Sequence, residues 1–167
     1  MKRNPEQRRG SRTVRGCSLA LLLTLAAPLV GQVTEADRFA LFTGCAPVYP
    51  SLVLWIDEDW NLSGEFAEQA VESRLRDAGI YSDGSGAPSL VVRALRPVSV
   101  PMILVGVMFL KRVTDGYGHS ETVVTWERGQ APLPPVGDAA TALQLITEHM
   151  DDFVSEYLRV NAEACGR

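Results

Sequence analysis

The stretch MILVGVMFLKRVTDGYGHSETVVTW, residues 102–126, decides the fold that we expect for this chain of 167 residues. Its two apolar runs flank DGYG at 115–118, and a short glycine-containing turn of this kind typically joins antiparallel strands. The first run is apolar at nearly every position, which is typical of a strand that is buried on both faces. We therefore predict a β-hairpin at the centre of a sheet.

The segments upstream of this hairpin predict further elements of an α+β fold. LVLWI at 52–56 and LVV at 90–92 are short apolar runs with the length and composition of strands. A helix is predicted over 63–79 between them, and a short helix over 34–43 before them. The longer helix has its apolar positions on one side, namely Phe66, Ala70, Val71, Leu75 and Ala78.

The segments downstream complete the pattern. QAPLPPVG at 130–137 predicts a stiff connection, because proline cannot donate to a strand ladder. Asp138 is a suitable N-cap for a helix that reaches about residue 162 and carries an apolar stripe. The order β-α-β-β-β-α predicts one α+β domain over residues 32–167, with a mostly antiparallel four-stranded sheet and helices packed on one face.

Residues 1–31 have the pattern of a secretory signal peptide. Six basic residues precede the apolar run SLALLLTLAAPLV at 18–30, and Gly31 supplies a small residue near a plausible cleavage point. The run is shorter than the roughly 20 apolar residues that span a bilayer. A cleaved leader and a periplasmic or extracellular protein are therefore expected. A retained leader would be its one attachment to a membrane, and the Arg8-Arg9 pair leaves twin-arginine export open.

The charge of the remaining chain excludes one class of partner. The leader holds six of the 16 basic residues and one of the 20 acidic residues, which leaves a net charge of −9 on residues 32–167. Such a charge disfavours nucleic acid and anionic membrane surfaces as partners. We expect neither of them to bind.

Two cysteines remain beyond the leader, Cys45 and Cys165. An exported domain with two thiols typically oxidises them to each other, so we predict a disulfide that ties the start of the domain to its end. A reactive thiol pair is the alternative, but neither a Cys-x-x-Cys spacing nor a neighbouring histidine supports it.

The central strand carries more apolar side chains than helices on one face can cover. Leu104 and Met108 point to one side of the sheet, and a second set points to the other. A sheet with one solvated face would alternate between apolar and polar residues, and this one does not. We expect the second set to form a face covered by the 34–43 segment, a second subunit, another protein or a lipid: Ile103, Val105, Val107 and Phe109.

The acidic stretch DEDWNLSGEFAE at 57–68 is the one candidate metal site. Oxygen-bearing side chains fall at the spacing of an EF-hand calcium loop. However, Leu62 occupies the position that requires glycine, and a strand precedes the loop where a helix is expected. An acidic turn that favours the positive end of the following helix is the alternative interpretation. The candidate ligands are Asp57, Asp59, Asn61, Ser63, Glu65 and Glu68.

No complete catalytic pattern is visible in the sequence. His119 and His149 are the two histidines, and neither lies near a cysteine cluster that would make a zinc site. The chain lacks a G-x-S-x-G nucleophile turn. DGSG at 83–86 is followed by neither the lysine nor the helix that a phosphate-binding loop requires, and it is interpreted as a linker. We therefore expect neither enzyme activity nor a cofactor.

Three segments resemble a group of small exported bacterial proteins of uncharacterised activity. They are HMDDFVSEYLRVNAEAC at 149–165, GCAP at 44–47 and AVESRLR at 70–76. The resemblance covers most of the chain beyond the leader and implies export, but it brings no ligand or activity. The β-α-β-β-β-α order also loosely resembles small periplasmic accessory domains, which is a likeness of fold alone.

These observations together favour a non-enzymatic, exported protein-interaction or accessory domain. Its partner is expected to be another envelope protein or a second copy of the same chain. A module that binds a small ligand or lipid on the second face of the sheet is the alternative, and a calcium-binding protein is a weaker one.

Overall fold

The structure is a computed structural model that describes residues 32–55, 62–95, 103–133 and 139–166. Val33–Arg167 form one compact unit. The leader expected over 1–31 lies outside the described residues, so export remains a prediction. Among the described helices, none combines the length and the hydropathy that crossing a membrane requires.

The described chain has three helices and four strands, and their order confirms the predicted α+β class. The elements are α1 (Glu35–Leu41), β1 (Tyr49–Trp55), α2 (Gly64–Asp77), β2 (Ser89–Leu95), β3 (Ile103–Thr114), β4 (Ser120–Leu133) and α3 (Ala139–Val160).

The strands form one sheet in the order β1-β2-β3-β4. β1 and β2 are parallel because α2 connects them as a crossover helix, which carries the chain back to the same end of the sheet. β2, β3 and β4 are antiparallel to their neighbours. The prediction of a mostly antiparallel sheet is therefore confirmed.

Helices α2 and α3 cover one face of the sheet and enclose the core. The ring of Phe109 on β3 lies 5.3 Å from that of Phe153 and 5.9 Å from that of Tyr157, both on α3. Val71 and Leu75 of α2 belong to the same cluster. Large apolar side chains that pack in this way supply most of the free energy that holds the two layers together.

The two ends of the unit are joined by the predicted disulfide. Cys45 and Cys165 are bonded, with their Cα atoms 5.2 Å apart and a separation of 120 positions in sequence. Helix α1 begins at a capping box, in which Thr34 and Asp37 exchange side-chain-to-backbone hydrogen bonds. It packs against α3 and β4, with Leu41 buried.

Two predicted details are wrong. Phe66 is 65% exposed, because the buried side of α2 runs through Ala67, Val71 and Leu75. The strand β4 also includes residues 130–133 of the connection expected over 130–137, whose last four residues lie outside the described segments. A register shift beside Gly129 restores the pairing, and Pro132 then lies opposite Leu104. Because β4 is an edge strand, proline is tolerated in it.

The expected binding face is also placed differently by the structure. The four side chains Ile103, Val105, Val107 and Phe109 are each at most 1% exposed. They point towards α2 and α3 and belong to the core. The prediction that they form a surface for a partner is therefore wrong, because the helices cover this side of β3.

Candidate binding surface

The opposite face of the sheet carries no described helix. Strand alternation places Val91, Leu95, Leu104, Met108 and Leu110 on this side, where Val91 lies opposite Met108 and Leu95 opposite Leu104. All five are half-buried, and none belongs to the hydrophobic core or packs against it. We call this surface the open face; it also includes Val53 and Trp55 of β1.

An ion pair crosses the middle of the open face. The guanidinium Nη2 of Arg93 lies 2.7 Å from Oε1 of Glu127. Arg93 is the cross-strand partner of Gly106, and its side chain passes over that glycine from β2 to β4. Because Gly106 has no side chain, the guanidinium can lie close to the sheet. The two charges therefore cancel locally in the centre of an apolar surface.

The rim of the open face has two exposed apolar side chains. Trp55 at the end of β1 is 73% exposed, and Val124 on β4 is 48% exposed. Val124 lies opposite Leu110 in the register of β3 and β4. A contiguous apolar surface bounded by polar residues is typical of an interaction site, and an exposed tryptophan is a common anchor in such sites.

The candidate calcium loop is only partly described. Asp57, Asp59 and Asn61 lie outside the described residues. Ser63 is the N-cap residue of α2 but makes no side-chain capping bond, and Glu65 lies in the first turn of the helix. Glu68 is exposed. No group of three or more acidic, histidine or cysteine side chains within the described segments could hold a metal ion.

The two histidines lie in different environments. His119 is exposed in the β3–β4 turn, where its backbone N–H donates to Oδ1 of Asp115 at 2.9 Å. The ring atom Nε2 of His149 is buried against Gly129 and has no hydrogen-bond partner among the described residues. The structure does not bring the two together, so they form no joint site.

Sequence reasoning missed the open-face residues as a site, although their signal was present. Leu104 and Met108 form one side of β3 in the sequence pattern, but the predicted binding face is the other side. Both sides are apolar, so the choice depended on where α2 and α3 pack. The pairing of Arg93 with Glu127 needed the register of three strands, which no local pattern supplies.

The comparisons with known proteins show no family. No family model matches the chain, and no curated protein matches it. Among solved structures, the chain is similar to a variant of the PelC dodecamer from Paraburkholderia phytofirmans, with 21% identity over 68% of this chain and 89% of that chain. The TM-score is 0.37, a value at which the likeness supports no conclusion about function.

Proposed function

We propose that this chain is an exported, non-catalytic interaction domain that associates with a second copy of itself through the open face. One observation carries the proposal: five half-exposed aliphatic side chains on the central strands lie outside the core. Aliphatic surface of this extent favours contact with another apolar surface over contact with water. The Cys45–Cys165 disulfide is compatible with export to an oxidising compartment.

The charge on the open face favours a second copy as the occupant. Residues 32–167 carry a net charge of −9, so two copies repel each other over most of their surfaces. The open face is an exception, because Arg93 and Glu127 neutralise each other there. About a two-fold axis, Arg93 of one copy can face Glu127 of the other, which makes the pair complementary to itself.

The packing of two such sheets follows a known geometry. Sheets that pack face to face lie about 10 Å apart, with aliphatic side chains interdigitating between them. Trp55 at the edge of the surface would contribute the largest single buried area. The sandwich formed in this way would have helices on both outer layers and two sheets inside.

Sedimentation velocity of the purified protein tests this proposal. Over a roughly hundredfold concentration range, the wild type should pass from monomer to dimer. Met108→Glu places a charge in the centre of the open face and should abolish the dimer. Tyr117→Glu is the matched control, because Tyr117 is 92% exposed at the hairpin tip away from the open face, and it should leave the dimer unchanged.

A charge exchange makes the test specific for the two-fold arrangement. Arg93→Glu and Glu127→Arg each place like charges face to face and should separate the copies. An equimolar mixture of these two variants restores opposite charges and should form a heterodimer. A wild type that stays monomeric at all concentrations, or that carries a bound lipid detected by mass spectrometry, overturns self-association.

A further inference from the structure

A notch lies where β3 runs past the start of β2. Ser89, the first residue of β2, pairs with Leu110, so Lys111 to Thr114 pair only with β4. A cavity of about 620 Å³ occupies this step. Its walls come from β3, from the loop before β2 and from the segment after α1, through Ser85, Gly86, Phe42 and Thr43.

The charged residues that line this cavity are both cationic. They are Lys111 and Arg112, and no carboxylate is among the lining residues that the structure describes. The surrounding chain has the opposite character, with a net charge of −9 over residues 32–167. A concave site of one sign concentrates ions of the other sign, so the notch attracts anions.

Arg112 differs from the other arginines of the described segments. No ion pair or hydrogen bond joins its guanidinium to any described residue, and its side chain is exposed. Arg38 lies over the ring of Phe42. The remaining five each lie near a carboxylate, at 2.7 to 3.4 Å: Arg74, Arg76, Arg93, Arg128 and Arg159. Arg112 therefore keeps its fork of donors for a ligand.

Lys111 is held in place by the end of helix α1. Its Nζ donates to the carbonyl oxygen of Phe42 at 3.1 Å and is 3.5 Å from that of Arg38. Burial lowers the pKa of Lys111, since its ammonium group loses contact with water and gains no described carboxylate. The two carbonyls occupy at most two of its three donors, so one N–H remains for an anion.

The loop before β2 offers backbone donors at the same place. The N–H of Gly84 donates to Oγ of Ser82 at 3.0 Å, and that of Ala87 donates to the carbonyl of Gly84 at 3.2 Å. The N–H groups of Ser85 and Gly86 have no acceptor among the described residues. The sequence predicts a linker here, because no lysine follows the loop. In the fold, Lys111 of β3 lines the same cavity as the loop.

We infer that the notch between the 84–88 loop and Lys111–Arg112 is a binding site for the oxyanion of a small solute, either a phosphate or a carboxylate. The planar guanidinium of Arg112 suits bidentate contact with two oxygens of either group. Lys111 adds an ammonium group from the helix side of β3, Arg112 reaches the cavity from the opposite side of the strand, and the loop adds backbone N–H donors. This inference does not depend on self-association through the open face.

Titrations followed by amide chemical shifts in NMR test the site. Inorganic phosphate and citrate are the probes, each added at constant ionic strength with chloride as the reference anion. We expect saturable shifts centred on the amides of Ser85, Gly86 and Arg112 with at least one probe. Arg112→Gln should weaken that binding by about tenfold or more, because it removes a charged bidentate donor.

A matched variant separates a local site from general charge attraction. Arg76→Gln also removes one positive charge, but Arg76 pairs with Glu72 on α2, away from the notch. The affinity of this variant for the probe should therefore stay within about twofold of the wild-type affinity. Lys111→Gln is the second variant, with its fold checked by thermal melting, and it should weaken binding as well. Saturation with phosphate alone assigns a phosphate ligand, and saturation with citrate alone assigns a carboxylate.

Three results would overturn the inference. Shifts that rise linearly without saturation would indicate screening only. Shifts that spread evenly over all exposed basic residues would indicate non-specific attraction. Equal weakening by Arg112→Gln and Arg76→Gln would show that total charge, not the notch, determines the effect.

Discussion

The backbone N–H of Cys45 donates to Oδ1 of Asn161 at 3.2 Å. The same oxygen accepts the N–H of Thr43 at 3.0 Å, while Nδ2 of Asn161 donates to the carbonyls of Leu41 and Tyr157. Asn161 is fully buried, and its carboxamide thus satisfies four backbone groups at the point where the disulfide closes. The segment after α1 is held to the end of α3 by these bonds together with the disulfide.

Asn161→Ala should destabilise the protein strongly. It removes the acceptor of the part-buried N–H groups of Thr43 and Cys45 and the donor to the Leu41 carbonyl, whereas the Tyr157 carbonyl keeps the backbone N–H of residue 161. The expected loss in free energy of unfolding is about 3–5 kcal/mol. Urea unfolding followed by tryptophan fluorescence measures it. Glu163→Ala, an exposed change two residues further on, is the control and should cost less than about 0.5 kcal/mol. A loss in Asn161→Ala as small as that of the control would contradict this role.

Reduction of the disulfide between Cys45 and Cys165 should lower stability without changing the fold. Closing a loop of this length contributes about 4–5 kcal/mol by restricting the unfolded chain. The difference between urea midpoints with and without a reducing agent measures the effect. The double variant Cys45→Ser/Cys165→Ser should start at the lower midpoint and show no response to reductant. A wild type that is equally indifferent would mean that the bond contributes nothing.

Gly129→Ala should disturb the central sheet. Gly129 has a φ of +93°, and a Cβ there would lie 2.6 Å from the carbonyl oxygen of Val105 and 2.9 Å from Cα of Gly106. Both neighbours are backbone atoms of β3 and cannot move aside without breaking the pairing. We expect a loss of about 3 kcal/mol or more.

The control for this change is Gly116→Ala in the hairpin turn. No atom lies within 4 Å of a Cβ at Gly116, and its φ is not in the left-handed region. Thermal melting should show that the free energy of unfolding of Gly116→Ala lies within about 0.5 kcal/mol of the wild-type value. Equal melting temperatures for the two variants would show that the sheet is not closely packed at Gly129.

Two adjacent residues of β2 distinguish the faces of the sheet. Val92 is fully buried beneath the helices, so Val92→Asp places an unpaired carboxylate in the core, at a cost of several kcal/mol, and should prevent folding. Val91 points to the open face, and Val91→Asp should fold with a loss of about 1 kcal/mol. Soluble yield and circular dichroism compare them. Failure of both variants would mean that the open face is covered as tightly as the core.

The sequence predicted the elements of this fold better than the surfaces that they present. An apolar run such as 103–110 predicts a strand, because the residues on both of its faces favour extended structure. The run does not indicate which of the two faces is buried. The side that becomes core depends on where α2 and α3 pack, which is a tertiary property. For this reason the predicted binding face, Ile103, Val105, Val107 and Phe109, is wrong.

Two other misassignments have similar causes. Phe66 fits an apolar stripe at one turn of α2, but the buried side of the helix runs through Ala67 instead. One large apolar side chain therefore gives the wrong prediction of which side of the helix is buried. The role of Asn161 left no local signal at all. Its four partners come from a segment 116 to 120 residues away and from the preceding turn. Only the folded chain brings them together.

Asp37 gives a pH-dependent prediction. Its pKa is lowered first by the hydrogen bond from the backbone N–H of Thr34, at 2.9 Å, then by the Thr34 hydroxyl, and further by the charge of Arg159. A carboxyl group whose pKa is lower in the folded state stabilises that state above its unfolded pKa. The contribution disappears as the pH falls through the folded pKa. Asp37→Ala should therefore be less stable than the wild type at neutral pH.

The stability difference between Asp37→Ala and wild type should stay constant from pH 7 to about pH 5, and it should narrow as the pH falls below about 4, where the unfolded carboxyl is protonated. Urea midpoints at a series of pH values measure it. Glu35→Ala is the control, because it removes another carboxylate of the first turn that has no described partner. Its effect on stability should be smaller and measures the general interaction of a carboxylate with the helix dipole. If the Asp37→Ala difference were the same at pH 3 as at pH 7, the capping box would be stabilised by packing alone, and the ionised carboxylate would contribute nothing to it.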